Sequence, residues 1–210
     1  MKNLFYDCEN LSEKFKNKTN LTSLTLEDGV ETIGQSAFSG CSKITGTLTI
    51  PTTVTSIGSQ AFNGCSGITG LSIGTGVQTI GIYAFNGCSK ITEVEFADTA
   101  SIWELKDVYG SPGPNFYPDE LTTNATQLRS THTNKYFYKK TLTYKLSYNY
   151  IGSVAEVKEI SGTYNDVVYI PSYVIDDHGT KFTVTTIGQN AFSGMPLVNV
   201  VIGSQVTCIK

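Results

Sequence analysis

The chain has 210 residues, 15 Lys+Arg against 18 Asp+Glu for a formal net charge of −3, and 40% hydrophobic against 16% charged residues. That composition is globular and lies outside the disordered class. No basic cluster exceeds Lys139-Lys140, so the electrostatic footprint of a nucleic-acid partner is missing. Every apolar run is broken well short of the ~20 residues a membrane helix needs. Met1 to Cys8 has no apolar signal-peptide core, so an exported form would have had that signal removed.

Residues 1–14 read as an N-terminal cap or the remnant of a preceding unit. From Phe15 a repeat sets in. Ile33-Gly34-Gln35-Ser36-Ala37-Phe38-Ser39-Gly40-Cys41-Ser42 returns at Ile57 to Ser66 and at Ile80 to Ser89, and a fourth copy runs from Ile187 to Met195. Phe15 to Phe38 is 23 residues, Phe38 to Phe62 is 24 and Phe62 to Phe85 is 23, the extra residue falling within Ile44 to Leu48. The other apolar positions keep the same register: Leu24, Leu26, Val30, Ile33; Leu48, Ile50, Val54, Ile57; Leu71, Ile73, Val77, Ile80. Pairs two apart, such as Leu24/Leu26, predict a short strand with one face inward. Gly29, Pro51 and Gly74-Thr75-Gly76 turn the chain. A second extended piece follows, then Ala-Phe-x-Gly predicts a helical turn ended by Gly40, Gly64 or Gly87. One such unit buries too little to offset its own ordering, so neighbouring units must stack and share strand ladders, which makes a solenoid.

Leu48-Thr49-Ile50-Pro51-Thr52-Thr53-Val54-Thr55-Ser56-Ile57-Gly58-Ser59-Gln60-Ala61-Phe62-Asn63-Gly64-Cys65 resembles the unit of the BspA-like leucine-rich repeat family, and the likeness covers roughly 15–100 and 165–210. The resemblance implies an α/β solenoid, mostly β: a right-handed leucine-rich repeat superhelix of ~23-residue units with short parallel strands. It also implies display on bacterial or protist surfaces, adhesion or ligand binding, and no catalytic residues.

The expected organisation is repeat block 1 over 15–100, an irregular aromatic insertion over 101–138, and a lead-in with repeat block 2 over 139–210 that ends within a unit. The insertion holds Gly110-Ser111-Pro112-Gly113-Pro114 together with Trp103, Tyr109, Phe116 and Tyr117. Long excursions of this kind either cover the end of a stack or carry a binding role. Leu142, Tyr144, Leu146, Tyr148 and Tyr150 alternate with polar residues, as in a half-exposed strand. Gly152-Ser153 turns it into Val154 to Ile160, a hairpin or the first rung of a new stack. Asp176-Asp177-His178-Gly179 predicts a hairpin turn inserted in the last full unit. Val200-Val201-Ile202 and Val206-Thr207-Cys208-Ile209 begin a further unit, which is expected to continue in a longer protein; the alternative is an open edge that invites self-association.

Chemistry is sparse. Cys41, Cys65 and Cys88 share one place in successive units and read as buried thiols bonded to turn backbone, with Met195 replacing them in the last copy. No C-x2–4-C, G-x-S-x-G, H-E-x-x-H or Walker motif occurs. His132 and His178 have no neighbour that would make a base-nucleophile pair. Asp176 and Asp177 with Asp166 lack the spacing of a calcium loop. Four Asn-x-Ser/Thr sequons stand at Asn10, Asn17, Asn20 and Asn124. No cofactor, metal or enzymatic activity is expected.

The candidate ligand-binding residues are those facing outward between the core positions: Ser23, Thr25 and Glu27; Thr47 and Thr49; Ser72 beside Gly70; Glu93 and Glu95. The insertion aromatics Trp103, Tyr109, Phe116 and Tyr117 join them. The expected function is a cell-surface or secreted adhesion or binding protein with a protein or glycan ligand, host extracellular matrix included. The alternative is a spacer module without a ligand.

Overall fold

The computed structural model describes residues 15–99, 101–118, 121–140, 142, 144–162, 167–194 and 199–210. The chain divides into two compact units, one of residues 1–97, 103–116 and 121–139, the other of 98–102, 117–120 and 140–210.

In the first unit the repeats lay down β1 (Thr32–Ile33), β2 (Gly46–Ile50), β3 (Ser56–Ile57), β4 (Ile68–Ile73), β5 (Thr79–Ile80) and β6 (Glu93–Phe96). Two parallel ladders result. One runs β2-β4-β6, with Leu48 opposite Leu71 and Leu71 opposite Val94. The other runs β1-β3-β5, with Ile33, Ile57 and Ile80 in line. Between the ladders the Ala-Phe segments form successive tight turns in place of the expected helical turn. They too are bonded coil to coil, Phe38 N–H to Ala61 C=O and Phe62 N–H to Ala84 C=O at 2.8 Å each.

Side chains repeat the order of the backbone. Phe15, Phe38, Phe62 and Phe85 stack nearly parallel, with centroid separations of 5.3, 5.3 and 5.4 Å, close to the ~4.8 Å strand spacing that sets their pitch. Gly58 and Gly81 lie where adjacent coils approach most closely: a Cβ on Gly58 would come within 2.6 Å of Gln35 N. The extra residue of the 24-residue interval falls within Ile44 to Leu48, around Gly46 with its φ of +83°; just there the β2-β4 register steps from Gly46 opposite Ile68 to Thr47 opposite Gly70, passing over Thr69 on β4.

The first outward segment departs from expectation. Residues 21–27 form no strand. Leu26 is buried and Leu24 half-buried as the pattern requires, but the backbone bond described to the next coil is Thr45 N–H to Thr22 C=O. Leu24 to Leu48 is the 24-residue interval, whereas Leu48 to Leu71, where the ladder forms, is 23.

The described residues of 103–118 and 121–139 are not irregular. They form β7 (Trp103–Lys106), β8 (Pro112–Phe116), α1 (Leu121–Thr126), a π-helical run Gln127–Thr131 and β9 (Tyr136–Lys139). β9 pairs antiparallel with β5, and β7 and β8 extend that sheet to the order β1-β3-β5-β9-β7-β8.

The second unit contains β10 (Tyr144–Ile151), β11 (Val154–Gly162), β12 (Val167–Ile170), β13 (Tyr173–Ile175), β14 (Lys181–Ile187), β15 (Asn199–Ile202) and β16 (Cys208–Ile209). β10 and β11 form an antiparallel hairpin, while β11 also starts a parallel series β11-β14-β16, so that segment is both hairpin and first rung. β12 pairs parallel with β15. β13 and β14 form the hairpin predicted around Asp-His-Gly. Ala155, Val157, Ile160, Val168, Ile170, Val184, Ile187 and Ala191 make its core.

The stacked column is the part most sensitive to substitution. Phe62→Ala should lower unfolding free energy by about 3–5 kcal/mol, whereas Tyr109→Ala should change it by less than about 0.5 kcal/mol, both measured by urea denaturation.

Candidate binding face

The outward face of β2-β4-β6 is set by the pleat, which alternates core residues with exposed ones. Register places Thr47, Gly70 and Glu93 in one row and Thr49, Ser72 and Glu95 in the next. Thr47, Thr49 and Glu93 are exposed, and Ser72 and Glu95 half-buried. Gly70 leaves a dip that Thr47 leans over, since a Cβ there would meet Thr47 Oγ1 at 2.8 Å. Ser23, Thr25 and Glu27 are also exposed, but lie outside any strand, so their rows are not continued by ladder register.

The four insertion aromatics part company. Trp103 is only 1% exposed and Phe116 6%, so neither presents a surface to a ligand. The pleat of β7 turns Trp103 and Leu105 inward, and Phe96, Trp103, Phe116 and Phe137 pack edge-on at 5.5–5.6 Å. Tyr117 is half-buried and rests in the second unit on Tyr169, centroids 5.1 Å apart. Tyr109, 90% exposed, alone stands out, at the tip of the β7-β8 hairpin beside Val108. There Asp107 Oδ1 accepts the N–H groups of Tyr109 and Ser111 at 2.9 Å, and these bonds, that to Ser111 foremost, hold its carboxyl below the usual range.

These elements close the last repeat. β9 bonds to β5, and the buried Asn124 donates Nδ2 to Val94 C=O on β6 at 3.0 Å. Tyr83 N–H reaches Thr133 C=O, and Arg129 Nη1 reaches Ser89 C=O at 2.8 Å. Sequence reasoning offered covering the end of the stack as one of two readings, but missed the strands and helix that do it because their signals are short: Trp103-x-Leu105 alternation and a sequon that turns out to be a buried amide. That burial removes Asn124 as a glycan acceptor.

The thiols behave as their column implies. Cys41, Cys65 and Cys88 donate Sγ–H to the carbonyls of Phe15, Phe38 and Phe62 at 2.9, 3.1 and 3.1 Å. Burial raises all three, Cys88 to about 12, far from the thiolate a nucleophile or metal ligand requires. Cys208 is exposed, while Cys8, Asn10, Asp166 and Met195 lie outside the described residues. Among the described residues no group of three or more His, Cys, Asp or Glu could hold a metal. Asp176 instead accepts the N–H groups of His178 and Thr180 at 2.9 and 2.7 Å as an ordinary turn. No helix among them is long and apolar enough to cross a membrane. His132 lies at the junction of the last coil and the cap, with Phe85, Leu128 and Phe137 around it. Burial, then the Lys135 charge, depresses its basicity.

A two-ladder repeat with an aliphatic core, a phenylalanine column and a hydroxyl-lined outer face defines a leucine-rich repeat protein of mostly β structure. The model of the BspA type leucine rich repeat region matches six copies, over residues 11–106 and 164–210, and the chain belongs to that family. Among solved structures, the crystal structure of a leucine rich cell surface protein from Faecalibacterium prausnitzii A2-165 matches at 18% identity and a TM-score of 0.25, over 94% of this chain and 53% of that one. The chain thus spans about half the length of that protein. No curated protein matches.

Two outcomes test this geometry. With Cys8 changed to Ser, a thiol reagent at neutral pH should titrate Cys208 at once and Cys41, Cys65 and Cys88 only on unfolding; prompt reaction of a second thiol would contradict their burial. Because folding favours neutral His132, the unfolded chain binds the extra proton, and stability should fall as pH drops through the ordinary value of 6.5. Melting followed by Trp103, the one tryptophan, should show that fall, and His132→Phe should flatten it.

Proposed function

We propose that the chain is a non-enzymatic repeat module of a cell-surface or secreted protein, wound as a right-handed solenoid, that binds a protein or glycan partner through the outer face of β2-β4-β6. Host extracellular matrix is one partner class this reading includes, beside glycan and other bacterial components. The observation that carries this reading is the register of Thr47, Gly70 and Glu93 beside Thr49, Ser72 and Glu95 on one face. Short hydroxyl side chains on a ladder lose little entropy on contact, so such a face binds without first being ordered. Tyr109 supplies an aromatic contact outside that face. A secondary contact by self-association is supported by Ile202 and Ile209, exposed on β15 and β16.

The burial of Trp103 and Phe116 favours a second reading, in which the insertion serves only as a cap and the whole module is a spacer in a larger protein. Binding of the 210-residue chain to immobilised matrix proteins and to a glycan array separates the two. If the face binds, a Thr47→Lys, Thr49→Lys, Ser72→Lys variant should lose about tenfold or more in affinity on the probe captured, the effect of ~1.4 kcal/mol, with its melt unchanged. A chain that captures no probe supports the spacer. Equal capture by the variant removes this face from consideration.

A further inference from the structure

The turns that carry the phenylalanine column contain two Asn-Gly steps, Asn63-Gly64 and Asn86-Gly87. This dipeptide is chemically labile wherever the glycine nitrogen can reach the asparagine side chain, since no side chain on the following residue obstructs the approach. The two sites occupy equivalent places in consecutive coils, and they differ in the partner and the exposure of the glycine. Gly40 N–H donates to Asn63 C=O at 2.7 Å, and Gly64 N–H donates to Asn86 C=O at 2.8 Å. The nitrogen of Gly64 is therefore held by the next coil. Gly87 belongs to the last coil of the stack, and no hydrogen bond is described for its N–H among the described residues. The cap that follows reaches Tyr83 N–H, Val94 C=O and Ser89 C=O, stepping around Gly87, which stays exposed while Gly64 is half-buried.

We propose that Asn86 is a site of spontaneous deamidation in the folded protein, and that Asn63 is its protected twin. Solvent hydroxide removes the amide proton of Gly87, and the nitrogen attacks Asn86 Cγ. The new C–N bond closes a five-membered succinimide while the C–NH₂ bond breaks and ammonia leaves with a proton returned by water. Water then opens the ring at either carbonyl, leaving aspartate or isoaspartate. The net change is one water consumed and one ammonia released, with no redox partner.

The consequence is local to the end of the stack. Asn86 Nδ2 lies 3.5 Å from Asn63 Oδ1 as donor. A carboxylate at 86 replaces that donor with an acceptor facing an acceptor, which costs more than losing the bond. Isoaspartate also displaces the carbonyl that receives Gly64 N–H, loosening the junction of the last two coils. Conversion thus marks aged molecules with an added negative charge and a weaker final coil.

The 210-residue chain is incubated at mildly alkaline pH and 37 °C, and aspartate plus isoaspartate at 63 and 86 is quantified by peptide mapping, in the folded state and in denaturant. Folded, position 86 should convert at least about fivefold faster than 63, as expected when one nitrogen is released from an ordinary hydrogen bond. In denaturant the two rates should converge. Equal rates in the folded protein, faster loss at 63, or no conversion at 86 would each overturn the proposal. Asn86→Ser introduces the residue that Ser39 and Ser193 supply at this place in other coils. It should abolish the slow drift to a more acidic species on native charge-separating gels; persistence of that drift would place the event elsewhere.

Discussion

A coil of this repeat cannot satisfy its own backbone. Gly58 N–H goes to Ile33 C=O, Gly81 N–H to Ile57 C=O and Phe38 N–H to Ala61 C=O, so each coil holds donors and acceptors whose partners belong to the coils before and after it. Buried amide groups left unpaired are costly. The stack is consequently the smallest stable object, and the fixed positions of the sequence are the ones that let coils approach to strand spacing. Gly58 and Gly81 leave room for backbone, Phe38 and Phe62 stack at 5.3 Å, and Cys65 and Cys88 bond to carbonyls of the preceding coil.

The same constraint explains residues 103–139. The last coil of the first unit ends two ladders and one column, and each is closed by a different device. An antiparallel strand meets the open edge of β5, where a parallel one would need a further coil. A buried amide, Asn124, meets the edge of β6 through α1. Apolar side chains of the π-helical turn and β9, Leu128 and Phe137, cover Phe85. Terminal repeats that solve this problem are a general requirement of stacked architectures. The aromatic content of the segment follows from it, because a sheet that adds three strands to an edge needs its own core.

The repeat was legible because it is redundant: the Phe interval, the Ile and Val register and the cysteine column all point to one pitch, and the extra residue could be located within Ile44 to Leu48. The cap was legible only as one of two readings of the insertion and without its strands, since Trp103-x-Leu105 and Asn124 occur once and acquire meaning only when the open edge they cover is known. Nor could the turn conformation be read. Ser36, Gln60 and Tyr83 share φ between 53° and 59°, yet nothing in three unlike side chains announces a left-handed residue, and a propensity argument favours glycine there. The candidate face was half legible. Alternation identified its members, but not that Ser23, Thr25 and Glu27 stand outside any strand, on the side of the 24-residue interval.

What stacking leaves unspecified is where recognition can reside. Core places hold one kind of residue from coil to coil, as Leu48, Leu71 and Val94 do, whereas the row beside them runs Thr47, Gly70, Glu93. The hairpin loops show the same division. Asp107 to Ser111 and Asp176 to Thr180 are built alike, the aspartate oxygen accepting from the second and fourth residues beyond it and Gly110 and Gly179 at φ of +79° and +81°. One tip bears Val108 and Tyr109, the other Asp177 and His178. Since a polar tip supports the same loop, the exposed valine and tyrosine are not needed to hold it, and the strand rows vary for the same reason. The energetics of the fold are confined to one set of positions, so partner contacts are free to change at the others without disturbing the stack.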